Sequence, residues 1–273
     1  MDPFVTPEWL AEHRDEVVLG DARMYLDGRS AEAEYLRGHL PGAVFVDVGA
    51  DLAAPASPEG GRHPLPSPED FAAAMSRTGI GDDAVVVAYD DVGGVMAARL
   101  VWLLRTTGHR AALLDGGLDT AVELEKKRAV LPAADFAPVP WPREALATID
   151  EAAHGAAVVD ARDATRYAGN APDPVDPRSG HIPGAVNIPC RSHLTQDRTL
   201  RPTAELRDAF ERAGVTDADQ MISYCGSGVT ACHNLLVAEH AGLGMGRLFP
   251  GSWSQYSHTD RPVETSPEPG PAA

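Results

Sequence analysis

Short apolar runs alternate along this chain with longer segments of helical spacing. Residues 17–19, 44–46, 85–89 and 112–114 are brief β-branched or apolar runs of the kind buried parallel strands show. Residues 68–78 and 95–107 carry the three-to-four spacing of helices packed on one side. The pattern predicts an α/β fold in which each open parallel sheet has helices on both faces, with function in loops at the carboxyl ends of strands. Further on, residues 221–224 read as a strand. Residues 229–240 read as a helix with Val229, Cys232, Leu236 and Val237 on its apolar face. Cys225 falls in the turn between them.

The pattern occurs twice. "VVLGDARMYLDG" from Val17 is echoed by "AAVVDARDATRYAG" from Ala156, and "RGHLPGAVFVDV" from Arg37 by "SGHIPGAVNIPC" from Ser179. The stretch from Asp82 to Leu104 parallels that from Asp217 to His240, and "LLDGGLDTAVE" matches "RLFPGSWSQYS" in kind. Four blocks in the same order predict two domains of one fold. Prolines 132, 138, 140 and 142 favour an extended connector. The expected division is therefore a first domain over residues 1–130, a linker over 131–143 and a second domain over 144–265. A small-residue, Pro-rich tail over 266–273 is expected to be disordered.

Composition narrows the function. The 273 residues, 44% hydrophobic and 23% charged, are ordinary globular usage. A formal charge of −17 disfavours nucleic acid and anionic membranes as partners, since phosphates would be repelled. A small anion remains admissible if a local cationic pocket exists. Lysines are confined to Lys126 and Lys127, so arginines would form it, and Arg162, Arg166, Arg178, Arg191, Arg198, Arg201 and Arg207 gather in the second half. For any one of them a surface ion pair is the plainer expectation. The first residues lack a basic stretch followed by an apolar one, and no segment approaches the roughly 18 apolar residues of a membrane span. Three cysteines, Cys190, Cys225 and Cys232, argue against a disulfide framework. A cytoplasmic protein is expected.

The turn "CGSGVTA", Cys225 to Ala231, carries the chemistry. Gly226 and Gly228 permit the sharp reversal from strand to helix. Amides at the helix start, including those of Val229 and Thr230, would point into the loop as an anion cradle above the positive end of the helix dipole. A cysteine held there is favoured as thiolate, the nucleophilic form. Ser227 and Thr230 add hydroxyls. The alternative is a small buried hydrophobe, which most free cysteines are; the coincidence of thiol, glycines and helix start favours the nucleophile. Cys232, inside the helix, reads as packing, and Cys190 receives no role. Cys225, Cys232 and His233 lack paired ligand spacing such as C-x-x-C, so neither metal nor cofactor is expected.

These residues resemble the tandem rhodanese-like sulfurtransferases, and among them the group using 3-mercaptopyruvate. The likeness runs from about residue 5 to residue 264 and rests on "CGSGVTA", "GHLPGAVFVDV", "LLDGGL", "GHIPGAVNIP" and "GSW". It implies two rhodanese domains of which the second is catalytic, the first serving as scaffold; Asp90 stands where the first would need its cysteine. It further implies that Cys225 takes sulfur from a small anionic donor as a persulfide cradled by Gly226, Gly228, Val229 and Thr230. A thiol acceptor, either a thioredoxin-like protein or a low-molecular-weight thiol, or cyanide then removes it. Thiosulfate-using relatives carry basic residues in the two positions after the cysteine; Gly226 and Ser227 stand there instead, which suits mercaptopyruvate. Arg166 matches a carboxylate-holding arginine, and Arg178 stands near the second at a shifted spacing. Ser227 and His63 match two members of a proton relay. Its acid falls at Gly49, with Asp47 and Asp51 on either side. His39 and His181 recur in both halves, which marks them as structural. Trp253 either lines the site or belongs to the core.

Three rival readings remain. A thiosulfate:cyanide sulfurtransferase would share the nucleophile, and so would a non-enzymatic module that carries persulfide to a partner. Phosphate-ester hydrolysis by a Cys-x5-Arg loop would need an arginine where Ala231 stands.

Overall fold

The computed structural model describes residues 1–121 and 123–266; residues 267–273, where disorder is expected, lie outside the described residues. The chain forms two compact units. The first comprises Met1–Ala54, Leu65–Pro142 and Leu194–Leu200. The second comprises Pro55–Pro64, Arg143–His193 and the described chain from Arg201 onward. Each unit thus takes a short segment from the opposite half of the sequence, which the repeat did not announce.

In the first unit, strands β1 (Phe4–Val5), β2 (Val17–Asp21), β3 (Val44–Phe45), β4 (Val85–Tyr89) and β5 (Arg110–Leu114) form a parallel sheet in the order β1-β5-β4-β2-β3. The four expected strands are present; β1 is too short to leave a periodic trace. The unit also contains α1 (Pro7–Glu12), α2 (Ala31–Arg37), α3 (Pro68–Thr78) and α4 (Ala98–Thr106). The bounds of α3 follow from local chemistry. Ser67 Oγ accepts the Asp70 N–H at 3.0 Å, Pro68 opens the helix, and Gly79 closes it at φ +81°. Helix α4 starts later than its spacing suggests, because residues 95–97 still belong to the turn after β4. It packs closely on β2 at Gly20, where a Cβ would lie 3.1 Å from Leu100 Cδ2.

In the second unit, β6 (Ala157–Asp160), β7 (Val186–Asn187), β8 (Met221–Tyr224) and β9 (Arg247–Leu248) pair in parallel in the order β7-β6-β8-β9. Helices α5 (Ile149–His154), α6 (Ala164–Ala168), α7 (Thr203–Arg212), α8 (Ala231–His240) and α9 (Ser252–Tyr256) complete it. A capping box opens α5: the Thr148 N–H donates to Glu151 Oε2 at 2.7 Å and the Glu151 N–H to Thr148 Oγ1 at 3.2 Å. The backbone N–H of Thr148, helped by its hydroxyl and by Arg247, holds the Glu151 carboxyl down at about 2. Helix α8 is buried on all sides from Ala231 to Ala238, so the single apolar face expected of it is a correction.

The repeat extends to individual bonds. Arg23 grips Asp21 and donates to the Gly38 carbonyl at 2.8 Å; Arg162 grips Asp160 and donates to the Gly180 carbonyl at 2.7 Å. His39 and His181 stack on Tyr35 and Tyr167 with centroids 3.8 Å apart, each Nδ1 lying 2.8 Å from its tyrosine's carbonyl oxygen. Both histidines are buried, so the "GH[LI]PG" blocks are structural pins.

Candidate active site

Cys225 follows directly on β8 and is buried, 2% exposed. Its Sγ accepts the Gly228 N–H at 3.1 Å. Gly228 makes the turn at φ +77°, where a Cβ would lie 2.4 Å from the Pro250 carbonyl oxygen. The thiol is therefore wrapped by its own backbone, and α8 begins with its N-cap at Thr230. Val229 is buried beside it and Thr230 half-buried. Cys232 is buried in α8, its Sγ donating to the Gly228 carbonyl at 3.4 Å. Burial pushes the Cys190 thiol up to about 12.

The first unit shows what such a turn holds. Asp90 occupies the position after β4, with Gly93 at φ +83° matching Gly228. Asp90 Oδ1 accepts the N–H groups of Val92 at 2.8 Å and Gly94 at 2.7 Å; Oδ2 accepts those of Met96 at 2.7 Å and Ala97 at 3.0 Å. Complete burial pushes this carboxyl up while the four amides pull against it. Counted from Cys225, the corresponding positions are Ser227, Val229, Ala231 and Cys232. In the first unit this turn is thus an oxyanion-type cradle with room for two atoms beyond a side-chain carbon; in the second the Cys232 N–H donates to the Val229 carbonyl at 3.2 Å instead.

Ser252, which sequence reasoning missed, braces Cys225. It adopts φ +51°, a region costly for a residue with a side chain, and its counterpart in the first unit is Gly117 at φ +53°. The strain has a visible return: Ser252 Oγ accepts the Cys225 N–H at 3.1 Å and donates to the Phe249 carbonyl at 2.9 Å. The signal was the "GSW" block, in which a serine replaces a glycine of the first copy.

His63 reaches this unit on the segment Pro55–Pro64. The Arg62 N–H donates to Ser254 Oγ at 3.0 Å, Gln255 Nε2 donates to the Glu59 carbonyl at 2.5 Å, and Gly61 sits against the Gly251 carbonyl, where a Cβ would be 2.6 Å away. So anchored, His63 Nδ1 lies 2.8 Å from Ser227 Oγ. Asp51 belongs to the first unit, where Arg77 Nη2 donates to it at 2.5 Å and the Asp47 N–H at 2.9 Å.

Arg166 stands over Gly226, with Nη1 3.3 Å from where a Cβ there would be. Its Nε and Nη2 donate to Asp173 at 2.9–3.1 Å, and Nη2 also donates to Asp176 at 2.9 Å. Burial works against the Asp173 charge, yet the Val175 and Asp176 N–H groups and Arg166 hold it below the usual carboxylate range. Arg178 uses both terminal nitrogens on the carbonyls of Thr259 and Arg261. Trp253 is a core residue: fully buried, it donates Nε1 to the Arg178 carbonyl at 3.0 Å while the Arg162 guanidinium lies 4.7 Å above its ring. Other arginines take the plainer course, Arg191 with Asp163, Arg198 with Asp119 and Arg201 with Glu205. Among the described residues no group of three metal-ligating side chains occurs, and no helix is long and apolar enough to cross a membrane.

Comparison with known proteins agrees with this geometry. The Rhodanese-like domain family matches residues 6–123 and again residues 142–259. A probable 3-mercaptopyruvate sulfurtransferase of Pseudomonas aeruginosa is 38% identical over 96% of this chain and 98% of its own length. A putative thiosulfate sulfurtransferase of Mycobacterium tuberculosis is also 38% identical, over 91% of each chain. The solved 3-mercaptopyruvate sulfurtransferase of Leishmania major superposes with a TM-score of 0.86 at 33% identity, covering 94% of this chain and 74% of that one. With two family matches in series and a cysteine turn in the second, the chain belongs to the rhodanese-like family as a tandem-domain sulfurtransferase.

Proposed function

We propose that the protein moves sulfane sulfur from 3-mercaptopyruvate through a persulfide on Cys225 to a thiol acceptor or cyanide. The observation that carries this is the pair of homologous turns. Where Asp90 fills its cradle with two carboxylate oxygens, Cys225 offers one sulfur to the matching turn, so a second sulfur on Cys225 takes the place of the outer oxygens. Cys225 attacks the donor's sulfur; an S–S bond forms, the donor's C–S bond breaks, and the electron pair leaves as pyruvate enolate. Ser227, 2.8 Å from His63, delivers a proton to the enolate carbon, and the donor's thiol proton restores the balance. An acceptor thiolate then attacks the outer sulfur and Cys225 departs as thiolate.

Incubation with 3-mercaptopyruvate should add one sulfur to the intact mass, removable by cyanide, with pyruvate released in equal amount. No mass gain would sink the proposal. Mercaptopyruvate is favoured over thiosulfate because the thiol's immediate successors, Gly226 and Ser227, carry no charge to meet a dianion. The ratio of specificity constants for the two donors tests that preference. His63→Gln should lower kcat for pyruvate release by about 10²-fold, the usual worth of a positioned proton donor system, with little change in KM. An unchanged kcat would remove His63 from the relay. The physiological site of action fits a reducing compartment, in keeping with three free cysteines.

A further inference from the structure

Two histidines that no step above uses are sealed behind the Cys225 turn. His193 ends the 3₁₀ turn Cys190–His193, and His233 lies in the first turn of α8; both are 0% exposed. Their ring centroids stand 6.0 Å apart, and His193 stacks on Phe210 of α7 at 5.2 Å and 14°. Among the described residues neither nitrogen of His193 has a hydrogen-bonding partner, and the amide beside it, Asn234, donates its Nδ2 to the Ile188 carbonyl at 2.8 Å. The pair belongs to the second copy alone. Counted along the paired blocks, Asp51 and Ala98 stand at these positions in the first.

We propose that His193 and His233 form an acid-sensitive latch on α8: as neutral rings they hold the helix against α7 and the Cys190–His193 turn, and in acid they take up protons that the closed core cannot accommodate, so that α8 lets go and the Cys225 turn opens with it. Burying a neutral imidazole costs little; burying a charged one with no acid beside it costs far more. Burial pushes His193 down to about 4, with Asn234 pulling against it and Arg201 acting with it. Burial likewise holds His233 well below the usual imidazole range, helped by His193 and Arg191. The surroundings offer a positive ring little relief. Arg191 lies 3.8 Å from Asp163, and on α7 the charged residues Glu205, Arg207, Asp208, Glu211 and Arg212 are all exposed. Asp219, before β8, is exposed and accepts the Met245 N–H; Arg247 of β9 pairs with Glu151; Tyr224 of β8 is kept protonated by its own burial. On α8 itself stand Cys232, buried, and Glu239 and His240 in the last turn, with His240 Nε2 3.4 Å from Thr203 Oγ1. Both rings bind a proton less readily in the folded chain than in the unfolded one. Their contribution to stability is therefore whole above the ordinary imidazole value of about 6.5 and is lost as pH falls below it. The latch is independent of the sulfur-transfer reading.

The test is urea unfolding of the full chain from about pH 7.5 to about pH 4.5, read by reaction of its thiols with a dipyridyl disulfide, which labels in acid. Cys190, Cys225 and Cys232 are all buried and all in the second unit, so their labelling reports on that unit. Between about pH 6 and about pH 5 the unfolding constant of the wild type should rise roughly 100-fold, about tenfold from each ring, on top of what other groups add. His193→Leu and His233→Ala, the latter taking the first copy's residue, should each lose about a factor of ten from that rise, and the double variant both. A double variant that rises as steeply as the wild type overturns the latch. Should the variants not fold, the wild type decides alone: a rise of less than about tenfold over that unit of pH overturns it too. On return to neutral pH, unlabelled protein should close over its thiols again. Thiols that stay open would mark damage, not a latch, and overturn it as well.

Discussion

Replacing Cys225 by serine is expected to leave a folded protein whose pyruvate release from 3-mercaptopyruvate falls by about 10⁴-fold or more. The fold should survive because the substitution exchanges one small buried atom for another. The braces around it, the Ser252 Oγ contact to the backbone N–H of residue 225 and the Trp253 N–H bond to its carbonyl, involve main-chain atoms that serine retains. Chemistry should not survive. A serine hydroxyl stays protonated near neutral pH, and an oxygen in its place cannot store the transferred sulfur as a disulfide-like bond. The check has two parts: pyruvate release under saturating donor, and the intact mass after donor treatment, which should show no added sulfur. A variant that kept its rate would mean that some other group carries the sulfur.

The second large effect is expected in the copy without a thiol. Asp90→Ala should destabilise the first unit by up to about 4 kcal/mol, since it strips the acceptor from four N–H groups, three of them buried, each worth roughly 1 kcal/mol when left unsatisfied. Water entering the emptied turn would recover part of this, so the sum is an upper bound. Asp90→Asn keeps one acceptor oxygen and should lose about half as much. Urea unfolding followed by a probe of the first unit reads both, and a loss below about 1 kcal/mol for the alanine variant would show that the cradle does not depend on an anion. The two experiments address the paired turns from opposite sides: one removes the occupant seen in the first, the other the sulfur atom that the proposed function requires in the second.

Much of this was legible in the residues because its signals are local. The strand at β8 and helix α3 have the bounds their apolar runs and caps dictate, and the glycine-framed thiol identifies itself. Repetition exposed the pins at His39 and His181. The missing parts are those without a local signature. β1 is two residues long, and α2 and α6 lie in stretches whose helicity depends on what they pack against. The burial of Trp253 depends on Arg162 and Arg178, far off in sequence. Arg62 has no local signature, because nothing near it in sequence reveals that Asp176 will hold it beside Gly226. Ser252 lies inside the "GSW" block, but its meaning lies in a backbone angle that letters do not carry.

The exchange of segments between the two units decides whether either half of the sequence could stand alone. Residues 55–64 lie in the first half of the sequence but in the second unit, and residues 194–200 do the reverse. A gene cut at the proline-rich connector would make a C-terminal product with its thiol but without His63 or Arg62, and an N-terminal product lacking Leu194–Leu200. Neither half of the sequence therefore encodes a whole unit, and the unit that carries the thiol is finished by residues written before the connector.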